Sequence, residues 1–177
     1  MADQFLIVVD MQNDFIDGAL GTQEAQAIVP AVVERIKAAK KAGETVIATL
    51  DTHAEDYMAT AEGKKLPVPH CIKGTEGWKI HPQITEALGD ALLVEKPTFG
   101  SVKLPQIVAQ LADDPAAMTI ELLGVCTDIC VASNALLLKA HFPEAALRVR
   151  RACCAGVTPA KHEAALETMS SCQIDVI

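Results

Sequence analysis

An α/β fold with a mostly parallel, six-stranded sheet is what this chain predicts, and three observations predict it. Short, continuous apolar runs recur from one end to the other, as strands buried on both faces do. Helical patterns separate these runs, which is the alternation that parallel sheets require. The length, 177 residues with half of them hydrophobic, suits a single domain over 1–177 with a core large enough to need no staple.

The elements follow in order. Residues 4–9 (QFLIVV) form the first strand and end at Asp10. From about 23 to 42, Ile28, Val32 and Ile36 recur at helical spacing, and Gly43 stops the helix. The second strand is 45–50. Residues 51–80 then lack a sustained period and carry Pro67, Pro69 and several charges; loops this long inside a compact domain are usually functional. A helix over 82–88, a strand over 91–94, a helix over 102–111 and a strand over 118–123 come next. An apolar helix runs to about Lys139, and a strand covers 146–150. Thr158-Pro159 opens the last helix as N-cap and first-turn proline, and 173–177 make the sixth strand.

Composition excludes several classes. The net charge of −8 argues against nucleic acid, whose phosphates need clustered Lys and Arg. No apolar run approaches ~18 residues, so no membrane span is expected. The N-terminus has no basic, apolar leader, which makes the cytoplasm the expected compartment. The six cysteines contain no C-x-x-C pair and read as free thiols, with Cys153 and Cys154 in the core.

In open parallel sheets, ligands bind beyond the carboxyl ends of the strands. Asp10, Lys96 and Cys130 all fall there. If Thr127 caps the following helix, Cys130 lies in its first turn, where unpaired N–H groups and the helix dipole favour a thiolate. A carboxylate to move the proton and an ammonium to balance charge complete a nucleophile–base set suited to acyl transfer through a thioester.

At VVDMQNDF (8–15), EKPTFGS (95–101) and GVCTDICV (124–131) the chain resembles the isochorismatase-like cysteine hydrolases, in particular the nicotinamidases. The resemblance implies a three-layer α/β/α, Rossmann-like fold with strand order 3-2-1-4-5-6. It implies an Asp10–Lys96–Cys130 triad, a cis peptide at Val125–Cys126, and an oxyanion hole from the N–H groups of Cys126 and Cys130. In that order Lys96 starts two strands from Asp10, roughly 10 Å away, a gap only a long side chain can close. The resemblance also implies a homo-oligomer and one divalent metal, zinc first and iron or manganese as alternatives, held by Asp51, His53 and His70. Glu62 is the best fourth ligand, with Glu55 and Asp56 as rivals. Phe15 is available to stack on a substrate ring. Thr52 and Val68 stand where many relatives carry aromatics. The expected activity is hydrolysis of a small carboxamide, foremost nicotinamide, to an acid and ammonia. The alternatives are a metal-free hydrolase of another amide, carbamoyl compound or isochorismate, a non-catalytic subunit, and a thiol redox protein.

Overall fold

The computed structural model describes residues 3–177. Six strands, β1 (Gln4–Val9), β2 (Thr45–Asp51), β3 (Leu92–Lys96), β4 (Thr119–Val125), β5 (Ala146–Ala155) and β6 (Asp175–Val176), form one sheet in the order β3-β2-β1-β4-β5-β6. Every neighbouring pair is parallel. Helices α1 (Asn13–Ile16), α2 (Gln23–Ala42), α3 (Ala61–Lys65), α4 (Pro82–Leu88), α5 (Leu104–Leu111), α6 (Ala132–His141) and α7 (Pro159–Ser171) supply the connections. Among the described residues no helix is long and apolar enough to cross a membrane.

The order reverses between β1 and β4, so their carboxyl ends flank the switch-point crevice. Phe5 through Val9 of β1 are all buried, because both faces of a central parallel strand lie under helices. On α2 the buried stripe is Ala25, Val29, Val32, Ile36 and Ala39. It passes through Val29 where the sequence suggests Ile28, which is half-buried.

Several boundaries differ from expectation. The last strand is only Asp175–Val176, and the 102–111 helix begins at Leu104. In the other direction, β5 runs on to Ala155 instead of ending at 150. A register shift between Leu122 and Gly124 lets it continue, pairing Gly124 with Cys154. Gly124 has φ 122°, and a Cβ there would lie 2.1 Å from the Val9 carbonyl oxygen, so only glycine allows β4 to approach β1 this closely. The consecutive Arg150 and Arg151 break the apolar pattern where the expected strand stops and hide its continuation to Ala155. The 51–80 segment also holds structure: a 3₁₀ turn at Tyr57–Ala59, helix α3, and isolated bridges pairing Gln12 with Ile80 and His53 with Ile72.

Candidate active site

Asp10 follows β1 with φ 50°, a left-handed conformation that a non-glycine residue adopts only under local constraint. The constraint is visible. Its N–H donates to the Thr49 carbonyl (3.2 Å), and its Oδ1 accepts from the Thr49 hydroxyl (2.6 Å). Lys96 ends β3, directly beside Asp51 at the end of β2. Its extended side chain crosses the end of β2, and Nζ lies 2.6 Å from Asp10 Oδ2 and 3.4 Å from Asp51 Oδ1. The same nitrogen is 3.4 Å from Cys130 Sγ. A lysine therefore closes the two-strand gap, and all of these groups are buried.

Cys130 sits in a π-helical turn, Thr127–Val131, that follows β4 and runs into α6. Thr127 does not cap this turn, contrary to expectation. Its hydroxyl is hydrogen-bonded to His162 Nδ1 at 2.8 Å, and Cys126 holds the cap position without a side-chain bond. Instead, the N–H groups of Ile129 and Val131 both donate to the Cys126 carbonyl at 3.1 Å. Asn134 secures the far side: its amide donates to the Cys130 carbonyl (2.8 Å), and its Oδ1 accepts from the Ser101 N–H (2.9 Å). The Val125–Cys126 peptide is cis.

Electrostatics correct a second expectation. Burial pushes the Cys130 thiol well above its ordinary pKa, and Asp10 pushes it further; Lys96 opposes both without overcoming them. Burial also raises Asp10, against the pull of Lys96, which makes it a carboxylate able to exchange a proton. Burial would lower the Lys96 ammonium, but the acceptors facing it, Asp10 first, raise it above the ordinary lysine value.

A second cluster adjoins the first. Ligand atoms of Asp51, His53, Glu62 and His70 all lie within 4.8 Å of one another. His53 Nε2 is 3.0 Å from Asp51 Oδ2 and 3.6 Å from Glu62 Oε1. His70 Nε2 is 3.6 and 3.7 Å from the same two oxygens. Bonds of about 2.1 Å in a tetrahedral shell put ligand atoms about 3.4 Å apart, so this donor set fits a divalent ion. His70 is oriented for the task, its Nδ1 being 2.8 Å from the Val68 carbonyl. Glu55 and Asp56 are exposed and stand outside the cluster. Asp51 joins the two clusters, with Oδ1 toward Lys96 and Oδ2 toward the histidines.

Both clusters open on one cavity of about 280 Å³. Asp51, Glu62, His70, Cys126 and Cys130 line one part of it, and Phe15, Leu66 and Phe99 give it apolar walls. Phe15 also packs edge-on against His70, with ring centroids 5.5 Å apart. Larger surface hollows exist, such as one of about 640 Å³ beside Arg151 and His162, but Cys130 does not line it. Sequence reasoning missed Thr49, Gln12 and Asn134. Gln12 pins the ends of two elements by accepting from the Asp51 N–H (2.7 Å) and donating to the Asp51 and Trp78 carbonyls (2.8 Å each). The available signals were slight. Thr49 shares a strand face with Asp51, and Asn134 stands one helical turn beyond Cys130.

A six-stranded parallel sheet gathers a buried thiol, carboxylate and ammonium at its switch point, where open α/β sheets bind their ligands. The chain belongs to the isochorismatase family: the Isochorismatase domain matches residues 4–177. Within the family its similarity runs to the nicotinamidase branch. It is 27% identical to the nicotinamidase/pyrazinamidase of Mycobacterium tuberculosis, over 97% of each chain. It is 31% identical to an uncharacterized isochorismatase family protein of Bacillus subtilis, over 74% of this chain and 75% of the relative. The crystal structure of Pyrococcus horikoshii pyrazinamidase in complex with zinc superposes with a TM-score of 0.82 at 28% identity, covering 99% of this chain and 98% of that one.

Proposed function

We propose that residues 1–177 act as one metal-containing cysteine amidohydrolase domain that converts nicotinamide to nicotinate and ammonia. The observation that carries this reading is that Cys130 lines one small cavity together with Asp51, Glu62 and His70, three members of the four-residue cluster. Such a space suits a single aromatic ring with a carboxamide at one edge. The nicotinamidase of M. tuberculosis and the zinc complex of the P. horikoshii enzyme support the substrate and the ion respectively. The six free cysteines fit a reducing, cytoplasmic setting.

Asp10 takes the Cys130 proton as sulfur attacks the amide carbon, and Lys96 balances the carboxylate and the developing thiolate. The N–H groups of Cys126 and Cys130 receive the oxyanion. Asp10 returns its proton to the departing nitrogen, releasing ammonia and leaving a thioester. It then accepts a proton from the water that attacks the thioester and passes it to the departing sulfur, freeing the acid and restoring the thiol. Asp51, His53, Glu62 and His70 would hold a divalent ion, zinc foremost, which would supply a Lewis-acidic point for orienting the substrate. Phe15 covers the ring face.

The test is ammonia release from nicotinamide with and without a chelator. Release that chelation stops and added zinc restores is expected. No release from nicotinamide would refute the substrate, and chelator-resistant release would refute the metal's part. A second reading, an amide bearing an acidic group, is favoured by Lys161, an exposed cation in the cavity wall. A carboxylate-bearing amide turned over faster than nicotinamide would decide for it.

A further inference from the structure

One side chain touches both the metal cluster and the cavity wall. Tyr57 is 1% exposed, and its ring centroid lies 4.7 Å from that of His53 and 5.0 Å from that of His70. The two imidazoles are themselves 4.9 Å apart, so the three rings close a compact group. At its other end, the Tyr57 hydroxyl donates to the Leu66 carbonyl at 2.9 Å, and Leu66 lines the cavity that holds Cys130. The Tyr57 backbone is equally tied. Its carbonyl accepts from the Thr60 hydroxyl (2.7 Å), and that hydroxyl caps α3 by accepting from the Gly63 N–H (3.0 Å). A Cβ on Gly63 would lie 2.1 Å from the same carbonyl oxygen, so glycine is required where α3 packs on Tyr57. Glu62, the fourth member of the metal cluster, is the residue before it.

We propose that Tyr57 is a positioning residue that joins the two halves of the site: its ring fixes both imidazoles, and its hydroxyl fixes the Leu66 wall. The proposal rests on the metal reading above. The Tyr57 ring, itself buried and packed in place, lies against both imidazoles and restricts how far either can turn. The hydroxyl keeps the chain after α3 folded back over the cavity. Ring and hydroxyl therefore act on different quantities, and two substitutions separate them.

The full chain is stripped with chelator, and zinc is titrated back in competition with a chromophoric chelator. Wild type, Tyr57→Leu and Tyr57→Phe are compared, with circular dichroism as the check on folding. Tyr57→Leu is expected to bind zinc roughly ten- to a hundredfold more weakly. Tyr57→Phe should keep zinc affinity but raise KM for nicotinamide about fivefold, the worth of one hydrogen bond, with kcat little changed. A folded Tyr57→Leu protein with wild-type zinc affinity would overturn the proposal while leaving the metal reading standing. Should Tyr57→Leu fail to fold, Tyr57→Phe decides, and an unchanged KM overturns the coupling. A wild type that takes up no zinc would bring down the metal reading and the proposal together.

Discussion

The molecule contains two buried clusters of opposite charges, and they are built differently. Toward the amino ends of the strands, Glu121 of β4 meets Arg35 of α2 and Arg150 of β5. Both carboxylate oxygens are engaged twice: Arg35 donates to them at 2.9 and 3.0 Å, and Arg150 at 2.5 and 3.1 Å. Arg35 also bonds Glu44 at 2.7 Å, so two acids and two guanidinium groups balance. At the carboxyl ends, a single ammonium, Lys96, stands among Asp10, Asp51 and Cys130. Asp10 Oδ2 lies 2.6 Å from that ammonium, and the Asp10 backbone is held at φ 50°. The first cluster is saturated. The second sets one ammonium against two carboxylates and a thiol, and it opens on a cavity. Burial of charge alone does not tell them apart; unequal charge and an opening onto a cavity do.

The comparison breaks most sharply at Cys130. Cys130→Ala is expected to reduce amide turnover by at least about a thousandfold while the thermal midpoint stays within a few degrees. Alanine keeps the helical turn and removes only the sulfur. Substantial remaining turnover in an ammonia assay would contradict the thioester route.

Lys96→Met comes next, with a loss of roughly a hundredfold or more in kcat/KM. Lys96 is the group that pulls the Cys130 thiol down against burial and Asp10, so its removal should push that thiol higher still. Following alkylation of Cys130 against pH in the two proteins measures this. The profile of the variant should move to higher pH, and identical profiles would mean that Lys96 does not act on the sulfur.

How much of this contrast is legible in the sequence depends on the distance over which each group acts. The apolar runs announce β1, β2 and β4, because a strand buried on both faces has nowhere to place polar residues. Asp10, Lys96 and Cys130 are legible because parallel topology carries strand ends to one edge, and Asp51-Thr52-His53 because two ligands lie two residues apart. Glu121 is not legible. It stands in an otherwise apolar run, and its partner Arg35 is 86 residues away, so nothing local foretells the pair. Thr49 and Asn134 are hidden for a related reason, since short polar side chains show their role only through the group they reach. The burial that raises the Cys130 thiol is hidden as well, since a helix start can be read from sequence whereas depth of burial cannot.

The saturated cluster yields the opposite phenotype. Glu121→Gln leaves two guanidinium groups without their shared carboxylate, though both retain some contact with water and Arg35 keeps Glu44. Discounted for that exposure, the cost should be about 2 kcal/mol, a drop of roughly 4–8 °C in thermal midpoint. Specific activity per folded molecule should be unchanged. A variant that loses activity without losing stability would erase the division between the two clusters.

The smallest effect concerns acid. Burial by itself would raise the Glu121 carboxyl, but Arg150 and Arg35 outweigh it and hold it below the ordinary glutamate value. A carboxyl depressed in the folded state binds its proton more readily in the unfolded chain. Its contribution is therefore complete above the unfolded glutamate value, about pH 4.3, and is lost as pH falls through the lower folded value. Urea unfolding from pH 7 down to pH 3 should show wild-type stability falling below about pH 4.5, with a shallower fall in Glu121→Gln. Because the substitution removes the titrating group, the two curves should converge toward acid and stand farthest apart at neutral pH. Parallel curves over the whole range would assign the acid sensitivity to other carboxylates and leave Glu121 only its neutral-pH share of stability.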